Sequence, residues 1–250
     1  MQQFFVEPFQ IREGTVYLEG ADVNHMKNVL RMRPGEKVRV SDGQGKSYLC
    51  CVTGYEEGKA VLELLNKFEE NTELPSRVCL FQGLPKGDKM DWIVQKAVEL
   101  GAYSVIPFPA RRSVVKLDEK KAKKRQERWQ AVAKGAAEQS GRGMIPAVHM
   151  APGFREALQI ADTLDIVLIP YELEKGMAGT VRTIENISPG QSVGIFIGPE
   201  GGFEEEEVRL AIEHGAVPVS LGKRILRTET AGLTALSILM YHLESKNHSL

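Results

Sequence analysis

The run Val193-Gly194-Ile195-Phe196-Ile197 constrains the fold of this chain more than any other feature. It has no polar position. A strand with one wet face alternates apolar and polar residues, whereas a strand covered on both faces does not. Ile166-Val167-Leu168-Ile169 has the same character, and Val78-Cys79-Leu80-Phe81 and Ser104-Val105-Ile106-Pro107-Phe108 read as further strands. Helical patterns separate them. Lys89 to Leu100 sets Met90, Ile93, Val94, Ala97 and Leu100 on one face, and Gly101 ends it. A charged helix is expected from Glu119 to Glu138, and further helices over Glu204 to His214 and Thr230 to Leu243, with a strand over Val217 to Leu221 between those two. Alternating strands and helices predict an α/β domain with a parallel sheet.

The first part of the chain reads differently. Thr15-Val16-Tyr17-Leu18, Lys37-Val38-Arg39-Val40, Tyr48-Leu49-Cys50-Cys51-Val52 and Ala60-Val61-Leu62-Glu63-Leu64 are short strands separated by turn residues such as Asp42-Gly43-Gln44-Gly45. One helix is expected from Ala21 to Arg31, capped by Asp22, with Val23, Met26, Val29 and Leu30 apolar. Short strands with Gly-rich turns suggest a small β-barrel. The polar stretch Asn66 to Pro75 reads as a linker. Two domains are expected, over residues 1–70 and 74–250.

Composition narrows the function. The 250 residues carry 32 basic and 33 acidic side chains, a net charge of -1, so bulk charge does not hold a nucleic acid. A local basic patch still could, because the local field steers a polyanion. The three cysteines, Cys50, Cys51 and Cys79, form no Cys-x-x-Cys pair, which argues against a disulfide framework and a thiolate metal site. A reducing cytosol is the compartment expected from them. No signal peptide or membrane span is read.

Two loops carry the chemistry. Gly198-Pro199-Glu200-Gly201-Gly202 follows the apolar run, and Leu221-Gly222-Lys223-Arg224-Ile225-Leu226-Arg227-Thr228-Glu229-Thr230-Ala231 follows the next strand. Open α/β sheets bind ligands at such strand ends. Glycines allow close backbone approach, and Pro199 stiffens the turn. Glu204 to Glu207 then open a helix, which suits its dipole and argues against a phosphate there. Gly-x-Gly-x-x-Gly and Walker A patterns are absent. A cationic or neutral nucleoside fits better than a polyphosphate. Ile225 and Leu226, apolar in a charged loop, suit a wall packed on a flat ring. The structural alternatives are a plain strand-to-helix turn, helix capping by Thr228 or Thr230, and a surface ion pair of Arg227 with Glu229.

In combination these loops resemble the SPOUT superfamily of S-adenosylmethionine-dependent RNA methyltransferases, and within it the bacterial branch that methylates N3 of one uracil in 16S ribosomal RNA. The resemblance covers nearly the whole chain. His25, Val29-Leu30-Arg31, Gly35 and Asp42-Gly43 resemble the branch's barrel signature. Lys89-Met90-Asp91, Gln95 to Gly101, Arg111-Arg112-Ser113-Val114 and Glu138-Gln139-Ser140-Gly141-Arg142 fit as well. Val98 stands where the family often has Thr.

The resemblance implies a deep trefoil knot in the C-terminal domain, an exception to the rule against knots. It implies a PUA-like N-terminal domain and a homodimer whose sites the partner chain completes. S-adenosylmethionine would be the co-substrate, with no metal, held by Ile169, Gly198, Pro199, Glu200, Gly201, Leu221, Gly222, Ile225, Leu226 and Ala231. The RNA partner is 16S rRNA in the small ribosomal subunit.

Uracil N3 carries a proton that must leave before or during attack. Arg227 is permanently charged and better suited to stabilise negative charge on the uracil oxygens than to act as a base. Glu229 is a candidate to orient the uracil or accept the proton. A free Glu, with a pKa of about 4.3, is a weak base. Arg31, Arg33, Arg111, Arg112, Gln139 and Arg142 are candidates to grip RNA. Lys116 to Arg128 reads as a solvated helix face, and His25 either as a base reader or as a half-buried helix histidine. Two rivals stay open: an RNA-binding protein without catalysis, and an α/β enzyme acting on a small nucleotide.

Overall fold

The computed structural model describes residues 1–68, 72–115, 117–171 and 176–247. They form two compact units, Met1–Glu73 with Ala137–Ile145, and Leu74–Ala136 with Pro146–Leu250. Part of the expected linker, residues 69–71, and Lys116 of the expected charged face lie outside the described residues.

In the first unit, β1 (Gln3–Phe5), β2 (Ile11–Arg12), β3 (Thr15–Leu18), β4 (Lys37–Ser41), β5 (Ser47–Glu56) and β6 (Lys59–Lys67) form one sheet in the order β1-β4-β5-β6-β3-β2. Every pairing is antiparallel except β1 with β4. Phe4 and Ile11 come from opposite edges, yet both pack on one core with Val16, Leu18, Val38, Val40, Cys50, Val52 and Leu62. A flat sheet could not bring its edges together, so this one curls.

The helix of this unit is shorter than its sequence pattern predicts. It runs as α1 (Ala21–Asn24), continues as a π-helical turn over His25–Val29, and stops before Arg31, whose φ is +55°. Gly20, not Asp22, occupies the N-cap. Val23 and Met26 are buried but Val29 is exposed, because the π turn rotates it off the apolar face.

The segment Ala137–Ile145 was expected within the second domain but groups with the first unit. The reason is polar satisfaction. Ser41 Oγ donates to the Gly143 carbonyl at 2.7 Å, and Gln3 Nε2 donates to the Arg142 carbonyl at 2.6 Å. These bonds pair buried groups that would otherwise be costly.

The second unit is a six-stranded sheet, parallel throughout, in the order β12-β10-β11-β7-β8-β9. Its elements are β7 (Arg77–Gly83), α2 (Lys89–Glu99), β8 (Ser104–Phe108), α3 (Glu119–Ser140, whose last turn belongs to the first unit), β9 (Ala147–Val148), α4 (Phe154–Ala161), β10 (Ile166–Pro170), α5 (Ala178–Glu185), β11 (Ser192–Ile197), α6 (Glu205–Glu213), β12 (Val217–Val219) and α7 (Thr228–Asn247). One face packs on α4 and α6, where Phe81, Phe108, Phe154, Phe196 and Phe203 meet; Phe81 and Phe196 stack with centroids 4.4 Å apart. On the other, α2 and α7 pack together and α7 lies against β7 and β11. Cover on both faces explains why β11 lacks alternation.

Candidate functional site

Strands β12, β10 and β11 lie side by side and run in one direction, so their carboxyl ends open onto one place. A cavity of about 1260 Å³ lies there. Its lining includes the whole Gly198–Phe203 loop, the whole Ser220–Thr228 loop, Pro170 at the end of β10, and Tyr171, Gly176 and Met177 beyond it. This is the crevice where open α/β sheets hold ligands.

Each loop is pinned at both ends. Phe203 plunges into the aromatic core directly after the glycines. Gly83, at the end of β7, lies so close to the first loop that a Cβ there would come within 2.7 Å of Pro199 Cδ. The second loop begins at Ser220, whose N–H donates to the Thr180 hydroxyl at 2.8 Å. It ends at Thr228, whose hydroxyl donates to the Gly198 carbonyl at 2.5 Å and accepts from Gln82 Nε2 at 2.9 Å. Thr228 is therefore no N-cap. Its hydroxyl ties one loop to the other, while α7 starts from the Arg227 carbonyl.

The charge of the cavity differs from expectation. The glutamates that open α6 do not line it. Glu204 and Glu207 form a reciprocal capping box, buried Glu207 also accepts the Arg111 N–H at 2.9 Å, and the Arg111 guanidinium pairs with Glu204 and Glu206. Glu204, Glu206 and Glu207 thus bond locally and do not project into the cavity. Among the described lining residues stand Lys89, Arg112, Lys223, Arg224 and Arg227 against one acid, Glu200. Glu200 is itself paired, with Lys89 Nζ at 2.8 Å and the Lys86 N–H at 3.1 Å. Burial alone would raise its carboxyl pKa; the Lys89 bond and the Glu200 and Lys86 N–H groups outweigh that and hold it below the usual value. Lys89 is held above its ordinary value, chiefly by its bond to Glu200.

The cavity gathers most of the residues expected around a cofactor: Gly198, Pro199, Glu200, Gly201, Leu221, Gly222, Ile225, Leu226 and Ala231 all line it, with Arg112 and Arg227. Ile169 does not. Its side chain is 0% exposed inside the core, and its neighbours Pro170 and Tyr171 face the cavity instead. Glu229 sits behind the lining, 3.5 Å from Lys89. Arg112 donates to the Gly201 carbonyl at 2.9 Å, which steadies the loop. Lys89, Tyr171 and Met177 escaped the sequence reading. Lys89 had its helix pattern and its place in the family-like stretch Lys89-Met90-Asp91, neither of which marks it as a cavity residue, and the residues beyond β10 had no signal.

The remaining RNA candidates divide. Arg31, Arg33 and Gln139 are exposed in the first unit, and neither guanidinium has a protein partner among the described residues. Arg142 is only 3% exposed, with its guanidinium on Glu73 through Nε at 3.1 Å. It is an internal cation, unavailable to a phosphate. Arg111 is likewise engaged with two acids. Exposed His25 meets Phe4 edge-on, with centroids 6.1 Å apart.

The ligand that suits this cavity is legible from its walls. Ile197, Leu221, Ile225, Leu226 and Met177 give apolar surface, and five glycines leave backbone accessible. Pockets for one small molecule are roughly 300–1,000 Å³, so there is room for a nucleoside-sized ligand and part of a second reactant. The cations favour an anionic second reactant.

The fold and site define a two-domain protein, a parallel α/β unit with this crevice joined in the chain to a curled β unit. An RNA methyltransferase domain model matches residues 72–240, and an RNA methyltransferase PUA domain model matches residues 18–65. The ribosomal RNA small subunit methyltransferase E of Bacillus subtilis is 42% identical over 98% of both chains. The protein of that name from Synechocystis is 38% identical over 96% of this chain and 77% of its own. The crystal structure of the Neisseria gonorrhoeae protein of that name, bound to S-adenosyl methionine, superposes with a TM-score of 0.84 at 37% identity, covering 96% of this chain and 97% of its own. The chain belongs to the ribosomal RNA small subunit methyltransferase E family.

Proposed function

We propose that this chain methylates N3 of one uracil in 16S ribosomal RNA, position 1498 in the family. What carries the reading is the joining of two glycine-bearing loops over one cavity, through Thr228 and Gly198. S-adenosylmethionine fits the apolar walls and open backbone there, and when bound it supplies a methyl group on a sulfonium.

In this reading Gly198 to Gly201, Leu221, Gly222, Ile225, Leu226 and Ala231 hold the cofactor. Loops fixed at both ends place it without further ordering, which is where most of the rate gain of a transfer reaction lies. Exposed Arg227, at the rim, faces the RNA side and stabilises negative charge on the uracil oxygens. Glu229 orients the base or takes the N3 proton. Arg112, Lys223 and Arg224 meet phosphates beside the target, and Arg31, Arg33 and Gln139 contact RNA further away. The C-terminal knot, a homodimer that completes each site, action on the assembled small subunit and a cytoplasmic location belong to the same proposal.

The test is transfer of tritiated methyl groups from S-adenosylmethionine to small ribosomal subunits, naked 16S rRNA and free nucleotides. Incorporation into subunits alone is expected. Cofactor binding without RNA labelling overturns the enzymatic reading in favour of RNA binding alone, and labelling of free nucleotides favours a small-nucleotide enzyme.

A further inference from the structure

Lys89 has no role in the reading above, yet it is the side chain that touches both halves of the site. It stands in the first turn of α2, reached from β7 by a short turn. Its ammonium lies 2.8 Å from Glu200 Oε1, in the first loop, and 3.5 Å from Glu229 Oε2, at the start of α7. It also lines the cavity.

The two acids depend on it unequally. Glu200 has a second anchor, because the Lys86 N–H donates to both of its oxygens, at 3.1 and 3.3 Å. Glu229 has no such support. Its Oε2 atom is buried and accepts no hydrogen bond. A buried carboxylate oxygen without a donor is costly, and a cation within ion-pair reach is what offsets it. The Glu229 side chain is 18% exposed, and the residue lies in the chain between Thr228 and Ala231, both of which line the cavity.

We infer that Lys89 is a positioning residue for the methyl-transfer step: it holds Glu229 by Oε2 and so presents Oε1 to the reacting base. This rests on the proposed role of Glu229. Lys89 acts through Glu229 and has no contact with the proton itself. The N3–H bond breaks and its proton goes to Oε1; the electron pair left on N3 forms the bond to the methyl carbon as the sulfonium S–CH3 bond breaks, and that bond's pair stays on sulfur, leaving a neutral thioether. Glu200 ties the same ammonium to the cofactor loop, so one cation registers the acceptor side of the site against the donor side.

The test is a double-mutant cycle on the full chain, read as single-turnover methylation of small subunits at saturating S-adenosylmethionine, with cofactor affinity measured by calorimetry. Lys89→Met is expected to slow the chemical step about tenfold or more, the scale of one lost transition-state interaction. Cofactor Kd should change by less than about threefold, because Lys86 still holds Glu200. Lys89→Arg should recover most of the rate. Glu229→Gln should slow the step, and adding Lys89→Met to it should cost nothing more. A wild-type rate in Lys89→Met beside a slowed Glu229→Gln overturns the inference alone, as does full additivity of the two. A wild-type rate in Glu229→Gln overturns the proposed role of Glu229 and the inference with it. A loss in Lys89→Met confined to cofactor Kd makes Lys89 a cofactor-loop residue and also overturns it.

Discussion

The hydroxyl of Thr228 donates to the carbonyl of Gly198 across 2.5 Å, joining residues thirty positions apart. One loop follows β11 and the other follows β12, with β10 between those strands in the sheet. The bond joins two loops that both line the cavity, and Gln82, 0% exposed, backs it from β7. Thr228→Val keeps the shape and removes the donor. It leaves the Gln82 amide and the Gly198 carbonyl short of a partner, at a cost of roughly 1–3 kcal/mol. S-adenosylmethionine affinity by calorimetry is expected to fall about tenfold, near 1.4 kcal/mol, while Thr228→Ser stays close to the wild type.

Gly83 is required for a steric reason. A Cβ at this position would meet Pro199 Cδ at 2.7 Å and Pro199 N at 2.8 Å. The obstacle is a ring and a backbone atom, so neither can rotate away. Gly83→Ala is expected to destabilise the fold by roughly 1–3 kcal/mol, as overpacking does, and to weaken cofactor binding. Urea unfolding and calorimetry together check it. Unchanged values in both would mean that the close approach of β7 to the loop is not needed.

Arg142 and Arg31 should separate cleanly. Arg142 is buried on Glu73, and removing it takes the cation from a largely buried acid that keeps the Gly143 N–H. Arg142→Met is expected to cost about 3–5 kcal/mol of stability, the usual penalty for half of a buried pair, with no change in the salt dependence of RNA binding. Exposed Arg31→Ala should leave the melting temperature unchanged and reduce the slope of log affinity against log salt by about one phosphate contact.

How much of this was legible in the sequence follows from how local each signal was. The runs at β7, β10 and β11 were readable because burial on both faces removes alternation. So were the two loops, since each is a contiguous stretch. The spacing of Phe154, Ala157, Leu158 and Ala161 marks α4 as amphipathic, but its eight residues carry no strong start signal. The two-residue strand β9 has no period to detect. The pairing of Arg142 with Glu73 links positions 69 apart, and the tie from Thr228 to Gly198 links positions 30 apart, so neither is local. Ile169 falls outside the lining because a residue near a strand's end can point to the core while the next lines the cavity.

The cysteines give a pH prediction. Burial, with a smaller contribution from Cys51, pushes the Cys50 thiol up to about 12 from its ordinary value. Burial also raises Cys79, against partial relief from Ser104 and Arg77. Both stay as thiols in the folded state, and the thiolate is the reactive form. At pH 8 a thiol-specific reagent should label Cys51 first and reach all three only after unfolding. A raised thiol pKa stabilises the fold fully below the unfolded value, and that contribution is lost as pH rises from about 9 towards about 12. The decline should be shallower in Cys50→Ala. Rapid labelling of all three thiols in the native protein would contradict the burial.

In the proposed function Arg227 works at the rim of the cavity, where one uracil is methylated at N3. The most direct measurement is mass-spectrometric nucleotide mapping of 16S rRNA from a deletion strain, complemented with the wild-type gene or with Arg227→Ala. One 3-methyluridine should vanish on deletion, return with the wild type and stay absent with Arg227→Ala. A 3-methyluridine that persists in the deletion strain, or that Arg227→Ala restores in full, would contradict the account.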